Sequence, residues 1–103
     1  MKKVIEKKVY NTETATLIAE YWNGLGEDDF MYCEEYLYRT RKGSYFLRGS
    51  GGPLTKYSES NENQTWGIST IIPISKEEAY EWLEANDKTE AIEEYFSNDI
   101  DEA

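Results

Sequence analysis

The chain has 103 residues, of which 39% are hydrophobic and 15% aromatic, and it carries a formal net charge of −10. This length and aromatic content suit one modest hydrophobic core, so we expect a single folded domain over residues 1–103 rather than a disordered acidic chain. No run approaches the roughly 18 apolar residues that a membrane-spanning helix needs, and no apolar signal core follows the first lysines. We therefore expect a cytoplasmic protein with no membrane partner.

The first part of the chain predicts a strand followed by a short helix. Residues 2–10 mix β-branched residues with lysines, as edge strands do. Asn11 is a candidate helix cap and Asn23-Gly24 is a typical helix stop, so the sequence predicts a helix over residues 12–22. The buried side of this helix would consist of Ala15, Ile18, Ala19 and Trp22, with Trp22 as its core anchor.

A hairpin is predicted in the middle of the chain. Residues 30–40 are rich in aromatic residues and alternate as a strand does. The two sides of this strand are Tyr32, Glu34, Tyr36 and Tyr38, and Cys33, Glu35, Leu37 and Arg39. A tight turn at residues 41–43 leads into a second strand over residues 44–48, with a glycine-rich exit at residues 49–53. The lone Cys33 cannot form an internal disulfide and is expected to be an inert core thiol.

Between the hairpin and the C-terminal helices, the sequence predicts a loop and a further strand. Residues 58–65 contain no apolar residue to anchor them, so we expect a mobile loop. Residues 66–74 contain four isoleucines and restore a pattern typical of strands, and Pro73 favours a position at a sheet edge. A fourth strand therefore follows the hairpin.

Two helices are predicted at the C-terminus. Ser75 and Glu78 have the spacing of a capping box, so a helix begins there. Another helix begins near residues 87–90, and residues 98–103 are expected to be a frayed acidic tail. The buried sides would be Ala79, Trp82 and Leu83 in one helix, and Ile92, Tyr95 and Phe96 in the other. The predicted fold is α+β, a small antiparallel sheet with a helix after the first strand and two C-terminal helices, in the order β-α-β-β-β-α-α.

Composition excludes several kinds of catalytic site. The chain has no histidine and one cysteine, which removes histidine-based triads and thiolate zinc sites. The acidic residues 27–29 lack the spaced oxygen ligands and glycine of an EF-hand loop, and the glycines at residues 49–52 lack the ending of a phosphate-binding loop. The sequence leaves open whether two carboxylates lie at the separation used in glycoside hydrolysis. We expect a non-enzymatic protein without catalytic residues, metal or cofactor.

Negative charge is concentrated after residue 57. Residues 58–103 contain thirteen acidic residues and only two lysines. In the predicted helices these acids recur at helical spacing, so each helix has an acidic stripe on the side opposite its buried side. A plain solvated surface has this composition, but such a surface also attracts proteins whose basic grooves hold nucleic acid. The candidate partner-binding residues are Glu77, Glu81, Glu84, Glu90, Glu93 and Glu94.

The predicted hairpin carries the opposite charge and provides an alternative surface. Residues 36–57 contain five basic residues and no acidic residue. Cations beside tyrosine rings are typical of sheets that bind RNA or single-stranded DNA, although the net charge of the protein repels a polyanion at long range. The residues of this alternative surface are Tyr36, Tyr38, Arg39, Arg41, Lys42 and Arg48.

Several short motifs resemble a family of small proteins. They are Tyr10-Asn11-Thr12-Glu13-Thr14-Ala15, Leu37-Tyr38-Arg39-Thr40 with Lys42-Gly43 and Tyr45-Phe46-Leu47, Gly49 with Gly51-Gly52, and Ile72-Pro73-Ile74-Ser75 with Glu77-Glu78-Ala79 and Trp82. Over residues 4–84 the chain resembles the short proteins carried by plasmids, integrative elements and prophages of Gram-positive bacteria. The resemblance implies a setting of mobile-element genes, among which inhibitors of host CRISPR–Cas nucleases are found. Its motifs are fold-forming, so it implies no catalytic or binding residue, and the final acidic helix lies outside it.

Two functions are expected from these observations. The first is a non-enzymatic inhibitor of a host defence nuclease, an anti-CRISPR protein directed at a Cas9-type enzyme, which would occupy a basic nucleic-acid-binding groove. The alternative is a nucleic-acid-binding or regulatory module that acts through the basic hairpin at residues 36–48.

Overall fold

The computed structural model describes residues 1–103 and begins with a hairpin where the sequence predicts one strand. Strand β1 (Lys2–Ile5) pairs antiparallel with β2 (Lys8–Asn11). The two residues between them, Glu6 and Lys7, have φ angles of 51° and 67°. Two consecutive positive φ angles are typical of a type I′ turn, whose twist matches that of the flanking strands. The prediction of a single strand over residues 2–10 is therefore wrong. The sequence did not indicate the turn, because neither residue is the glycine or asparagine that usually marks it.

The segment predicted as the first helix is a strand. Strand β3 (Thr16–Trp22) pairs antiparallel with β4 (Cys33–Arg39), so the predicted helix over residues 12–22 and the predicted β-α start are wrong. Asn11 does not cap a helix. Its Oδ1 accepts a hydrogen bond from the backbone N–H of Glu13 at 2.9 Å, which closes a local turn before β3.

A bulge in β3 explains the misleading apolar spacing. The pairing register of β3 shifts between Leu17 and Ala19, so that Ile18 and Ala19 both pack against the core although they are adjacent. This pattern resembles one side of a helix. The β-branched and aromatic residues of the segment, together with the hydrogen bonds that β4 supplies, favour the strand.

The hairpin in the middle of the chain is confirmed, but the predicted end of its second strand at residue 48 is wrong, because the strand continues through Gly51 into the predicted glycine-rich exit. Strand β4 pairs with β5 (Tyr45–Gly51), with Arg39 opposite Tyr45. In the turn, the backbone N–H of Gly43 donates to the carbonyl of Thr40 at 3.0 Å. Gly43 has a φ angle of 91°, which glycine adopts more readily than any other residue. The turn residues therefore determine where this hairpin reverses.

Residues 58–65 form regular structure where the sequence predicts a loop. They contain β6 (Ser58–Ser60) and the first residue of β7 (Thr65–Gly67), which pair as a short hairpin. The Asn61 side chain closes the hairpin, because its Oδ1 accepts hydrogen bonds from the backbone N–H groups of Asn63 and Gln64. The polar composition therefore marks a turn between two strands.

Strand β8 (Ser69–Ile74) completes a four-stranded antiparallel sheet in the order β3-β4-β5-β8. Its pairing with β5 puts Pro73 opposite Phe46 in an edge strand, as predicted. The strand predicted over residues 66–74 is thus divided between β7 and β8. The sheet is antiparallel throughout, which agrees with the predicted sheet type.

The two C-terminal helices are confirmed and begin close to the predicted residues. Helix α1 (Lys76–Ala85) starts with the predicted capping box, since Ser75 Oγ accepts from the Glu78 N–H at 3.0 Å and Glu78 Oε1 accepts from the Ser75 N–H at 2.9 Å. Helix α2 (Thr89–Tyr95) follows. Neither helix has the length and apolar character needed to cross a membrane. The fold is therefore α+β, with strands in the N-terminal part and helices at the C-terminus.

A 3₁₀ helix overlaps the start of the region predicted to be a frayed tail. This helix spans Ser97–Asp99. Ile100 is partly buried and packs against the core, whereas residues 101–103 have no regular structure. The frayed tail predicted over residues 98–103 is therefore wrong for residues 98–100, which belong to the 3₁₀ helix or contact the core.

Each face of the sheet has its own hydrophobic cluster. The helix face, which α1 and α2 cover, contains the main core of Leu37, Tyr45, Leu47, Ala79, Leu83, Ile92 and Phe96. The hairpin face lies opposite, and the β1–β2 hairpin covers one end of it. There Tyr10, Phe46 and Ile71 form a smaller core, in which the rings of Tyr10 and Phe46 meet edge-on at 5.5 Å. The sheet is therefore the middle layer of the domain.

The prediction that Trp22 anchors the core is wrong, because its side chain is 59% exposed at the end of β3. Its main polar contact is a 2.7 Å hydrogen bond from Nε1 to the carbonyl of Leu25. Trp82 is partly buried and packs against the main core, as predicted.

Replacement of Trp22 by alanine should lower the free energy of unfolding less than replacement of Trp82, because more than half of the Trp22 side chain is already exposed. Replacement of Trp82 should cost at least about 2 kcal/mol, since it removes core contacts and a hydrogen bond to a carboxylate. Urea denaturation of the two variants measures this contrast. Equal losses would contradict the exposed position of Trp22.

Candidate functional site

The acidic stripes predicted on the helices lie on the surface. The stripe residues are Glu77, Glu81 and Glu84 in α1, and Glu90, Glu93 and Glu94 in α2, and all six are exposed. Helix residues three and four apart share a side, so the stripes are separated from the buried Ala79 and Ile92 that contact the core. The helical pattern read from the sequence therefore identifies the exposed acidic side of each helix.

Little of this negative charge is neutralised within the protein. Residues 76–103, which we name the helical layer, contain eleven acidic residues and two lysines. The one ion pair of this layer joins Lys76 Nζ to Asp99 at 3.5 Å, and it is itself exposed. None of the six stripe residues forms an ion pair. The stripes are therefore available to a cationic partner.

A groove between β3 and α2 brings part of the acidic surface next to the sheet. It has a volume of about 530 Å³. One wall is formed by Ile18, Ala19 and Glu20 of β3, and the other by residues 87–91, Glu94 and Tyr95. Two stripe residues, Glu90 and Glu94, thus line the groove. The sequence did not indicate this groove, since it requires β3 to be a strand.

The six residues of the alternative basic surface do not lie together. Tyr36, Tyr38 and Arg48 are on the hairpin face, whereas Arg39 is on the helix face. The Arg48 guanidinium lies over the Tyr36 ring at 5.7 Å, and Tyr38 stacks on the Phe46 ring with centroids 5.1 Å apart. These rings are therefore already engaged within the protein, and no continuous platform of stacked tyrosines is present.

The two remaining members, Arg41 and Lys42, belong to a separate basic cluster. They lie in the β4–β5 turn, beside Lys7 and Lys8 of the first hairpin, around a cavity of about 450 Å³. Thr14, Thr40 and Ser44 also line this cavity, and no acidic residue does. We name this cluster the basic pole. Lys7 and Lys8 could not be assigned to it from the sequence, because more than thirty residues separate them from Arg41.

A buried carboxylate connects the sheet to α1. Glu35, on the helix face of β4, is only 5% exposed. Its Oε2 accepts hydrogen bonds from the Tyr57 hydroxyl and from Lys56 Nζ at 2.9 Å, and its Oε1 accepts from Trp82 Nε1 at 3.0 Å. Alternation along β4 predicts that Glu35 lies on the same side of the strand as the apolar Leu37, and this is the sequence feature that indicates a buried acid. Its three donors could not be identified from the sequence.

These donors determine the ionisation of Glu35. Burial by itself would raise the pKa of this carboxyl, but the hydrogen bonds from Tyr57, Trp82 and Lys56 outweigh burial and lower the pKa below its ordinary value. The pKa of Tyr57 is raised, first by burial and then by its hydrogen bond to Glu35. Glu35 is thus a charged, fully partnered carboxylate, and this arrangement is typical of a structural clamp.

The remaining reactive groups are dispersed. Cys33 is half-buried at the start of β4, and burial followed by the charge of Glu35 raises the pKa of its thiol. A raised pKa keeps a thiol protonated and unreactive at neutral pH. No three histidine, cysteine, aspartate or glutamate side chains lie close enough together to hold a metal ion. The two notable surfaces are therefore the acidic helical layer and the basic pole.

Comparison of the chain with protein-family models, with curated proteins and with solved structures gives no match. The features of the chain from which a function can be inferred are therefore its exposed charges and the groove between β3 and α2.

Proposed function

We propose that this protein is a non-enzymatic inhibitor whose acidic helical layer occupies the basic nucleic-acid-binding groove of a partner protein. The observation that carries the proposal is the unneutralised negative charge of residues 76–103. This segment contains eleven acidic residues but only two lysines, and it has one ion pair, which is exposed. Seven of these acidic residues lie in α1 and α2, and carboxylates on helices that pack against a sheet compete with phosphates for the same lysines and arginines. Affinity of this kind needs no catalytic residue, metal or cofactor.

The helical layer supports this function through its rigidity as well as its charge. Ala79, Leu83 and Phe96 hold the helices on the sheet and are almost fully buried. The capping box fixes the start of α1. Carboxylates held in this way lose less conformational freedom on binding than those of a flexible acidic tail, so less of the interaction energy is lost.

We further propose that the partner is a CRISPR-associated nuclease of the Cas9 type. Such an enzyme holds its guide heteroduplex in a positively charged channel and reads a short DNA motif with arginine side chains, and both surfaces suit an array of carboxylates. We also propose, from the motifs of residues 4–84, a mobile-element origin for the chain, and such an origin would favour this class of partner. Inhibition of a bacterial nuclease would take place in the cytoplasm.

The test is inhibition of Cas9-type DNA cleavage with the protein added before guide RNA, after guide RNA, or after target DNA. A competitor for a nucleic-acid site should inhibit most strongly when it is added before the true ligand. Inhibition should also weaken as salt reduces the screening length from about 10 Å toward 3 Å. Potency that is indifferent to both order and salt would contradict the proposal.

Charge reversal identifies the surface that inhibits. Glu81→Lys with Glu84→Lys should weaken inhibition, because both residues lie in the α1 stripe. The matched control is Glu59→Lys with Glu62→Lys, which makes the same charge change at exposed positions of the β6–β7 hairpin. If steering by net charge alone were responsible, the two double variants would lose potency equally, and the proposed role of the stripes would be wrong.

The basic pole favours a second candidate function, a nucleic-acid-binding or regulatory module. One cavity is lined by Lys7, Lys8, Arg41 and Lys42, and none of these cations forms an ion pair. Phosphate groups suit such a site. In the cleavage assay this function predicts that Arg41→Glu with Lys42→Glu abolishes the effect while reversal of the α1 stripe leaves it unchanged. That result would move the active surface to the basic pole.

A further inference from the structure

Strand β3 leaves one edge of the central sheet unpaired. In the β3–β4 ladder the Asn23 N–H donates to the Cys33 carbonyl at 3.1 Å. Because alternate residues of an antiparallel strand face the same neighbour, Ala19 and Tyr21 also direct their backbone groups toward β4. The backbone N–H and C=O groups of Glu20 and Trp22 therefore point away from the sheet, and no other segment bonds to them.

The opposite edge of the sheet is protected in a way that β3 is not. Strand β8 contains Pro73, which lacks a backbone N–H. Strand β3 has no proline and includes Leu17 and Trp22, which are 45% and 59% exposed. A seven-residue edge with exposed apolar side chains is a ready template for pairing with another strand.

Helix α2 gives this open edge a second wall. The groove of about 530 Å³ lies between β3 and the α2 residues Ala91, Glu94 and Tyr95. A strand added to β3 would lie about 4.8 Å from it and would therefore run through this groove. Peptides that add to a sheet edge gain affinity from main-chain hydrogen bonds and specificity from the side chains along the groove.

The charge of the groove selects its occupant. Glu20, Asp87, Glu90 and Glu94 line it, against one cation, Lys88. A second copy of this chain would bring the same acidic residues and a net charge of −10 to the interface, which opposes self-pairing through β3. A basic strand would instead place its cations beside these carboxylates.

We propose that an extended, basic peptide segment of the partner protein adds to β3 as a fifth strand, with its lysine or arginine side chains beside the acidic residues of α2. This inference rests on the proposed function, because it uses Glu90 and Glu94 of the α2 stripe, and it specifies how a partner binds them. The backbone of Glu20 and Trp22 supplies the hydrogen bonds, and the carboxylates supply the preference for cations.

The experiment uses a capped octapeptide of alternating lysine and valine, titrated into the isotopically labelled full chain and followed by amide NMR and hydrogen exchange. Exchange of the Glu20 and Trp22 amides should slow on binding, whereas the Tyr21 amide, already bonded to β4, should change little. The same peptide with alternate residues N-methylated on the pairing edge should not bind. A peptide of alternating glutamate and valine is the charge control.

Neutral variants separate this inference from the proposed function. Glu90→Gln with Glu94→Gln should weaken peptide binding about fivefold, whereas Glu77→Gln with Glu81→Gln, on the stripe of α1 remote from the groove, should leave it unchanged. Binding that depends on the α1 acids without protection of the Glu20 amide would overturn the added strand and leave the proposed acidic surface intact. No peptide binding, or protection of the edge by self-association of the free protein, would also overturn it.

Discussion

Replacing Glu35 by alanine is expected to lower the free energy of unfolding by about 2 to 5 kcal/mol, because two donors inside the protein lose their acceptor at a cost of about 1 to 3 kcal/mol each. The variant leaves the Tyr57 hydroxyl and Trp82 Nε1 without their acceptor, and Tyr57 is only 1% exposed. It also removes the carboxylate that receives Lys56. Urea denaturation monitored by circular dichroism measures the loss.

The same residue should contribute to acid sensitivity. The lowered pKa of folded Glu35 means that its carboxylate stabilises the protein above the unfolded pKa of about 4.3, and that this stability is lost as pH falls through the lower folded value. Glu35→Gln should therefore show a shallower loss of stability below about pH 4.3 than the parent protein. Glu81→Gln, at an exposed position, is the matched control and should retain the parent slope. If the stability of Glu35→Gln falls with pH as steeply as that of the parent protein, the three donors do not hold Glu35 as a charged carboxylate in the folded state.

The elements predicted well from sequence are those specified by neighbouring residues. The capping box of Ser75 and Glu78 depends on residues three apart, and the turn at Gly43 depends on one positive φ angle. Alternation along β4 also predicted which side chains share a side, including Glu35 with Leu37. In each case the chemistry that determines the structure lies within a few residues of the chain.

Strand β3 could not be predicted in this way, because its hydrogen-bonding partner is another strand. Ala15, Ile18, Ala19 and Trp22 have helical spacing, yet a bulge turns two adjacent residues toward the core and β4 satisfies the backbone. Tertiary pairing therefore overrides the local pattern. The turn of Glu6 and Lys7 was missed for a different reason, since both residues adopt positive φ angles without being glycine or asparagine.

The same division applies to the candidate site. The acidic stripes follow from helical periodicity, so the sequence identified them residue by residue. The groove requires β3 to be a strand beside α2, and the basic pole requires two hairpins to meet, so neither could be derived from local spacing. The proposed mode of binding therefore depends on the groove between β3 and α2, whose walls come together only in the folded protein.

Replacing Gly49 by alanine is the second substitution with a large expected effect. A Cβ at this position of β5 would lie 1.9 Å from the Tyr57 ring. The ring cannot move aside easily, because it is buried and its hydroxyl is bonded to Glu35. We expect a loss of about 3 kcal/mol or more, at the upper end of the range for overpacked cores.

Gly26→Ala is the matched control, since a Cβ there meets no atom within 4 Å and its φ angle is not positive. It should leave stability unchanged or raise it slightly, by restricting the unfolded chain. The cost of Gly49→Ala should shrink when Tyr57 is also replaced by alanine, because the clashing ring is then absent. Two results would contradict the contact between the Tyr57 ring and β5. One is a Gly49→Ala variant as stable as Gly26→Ala, and the other is an unchanged loss of stability from Gly49→Ala in the Tyr57→Ala background. In either case Glu35 would be held by other contacts.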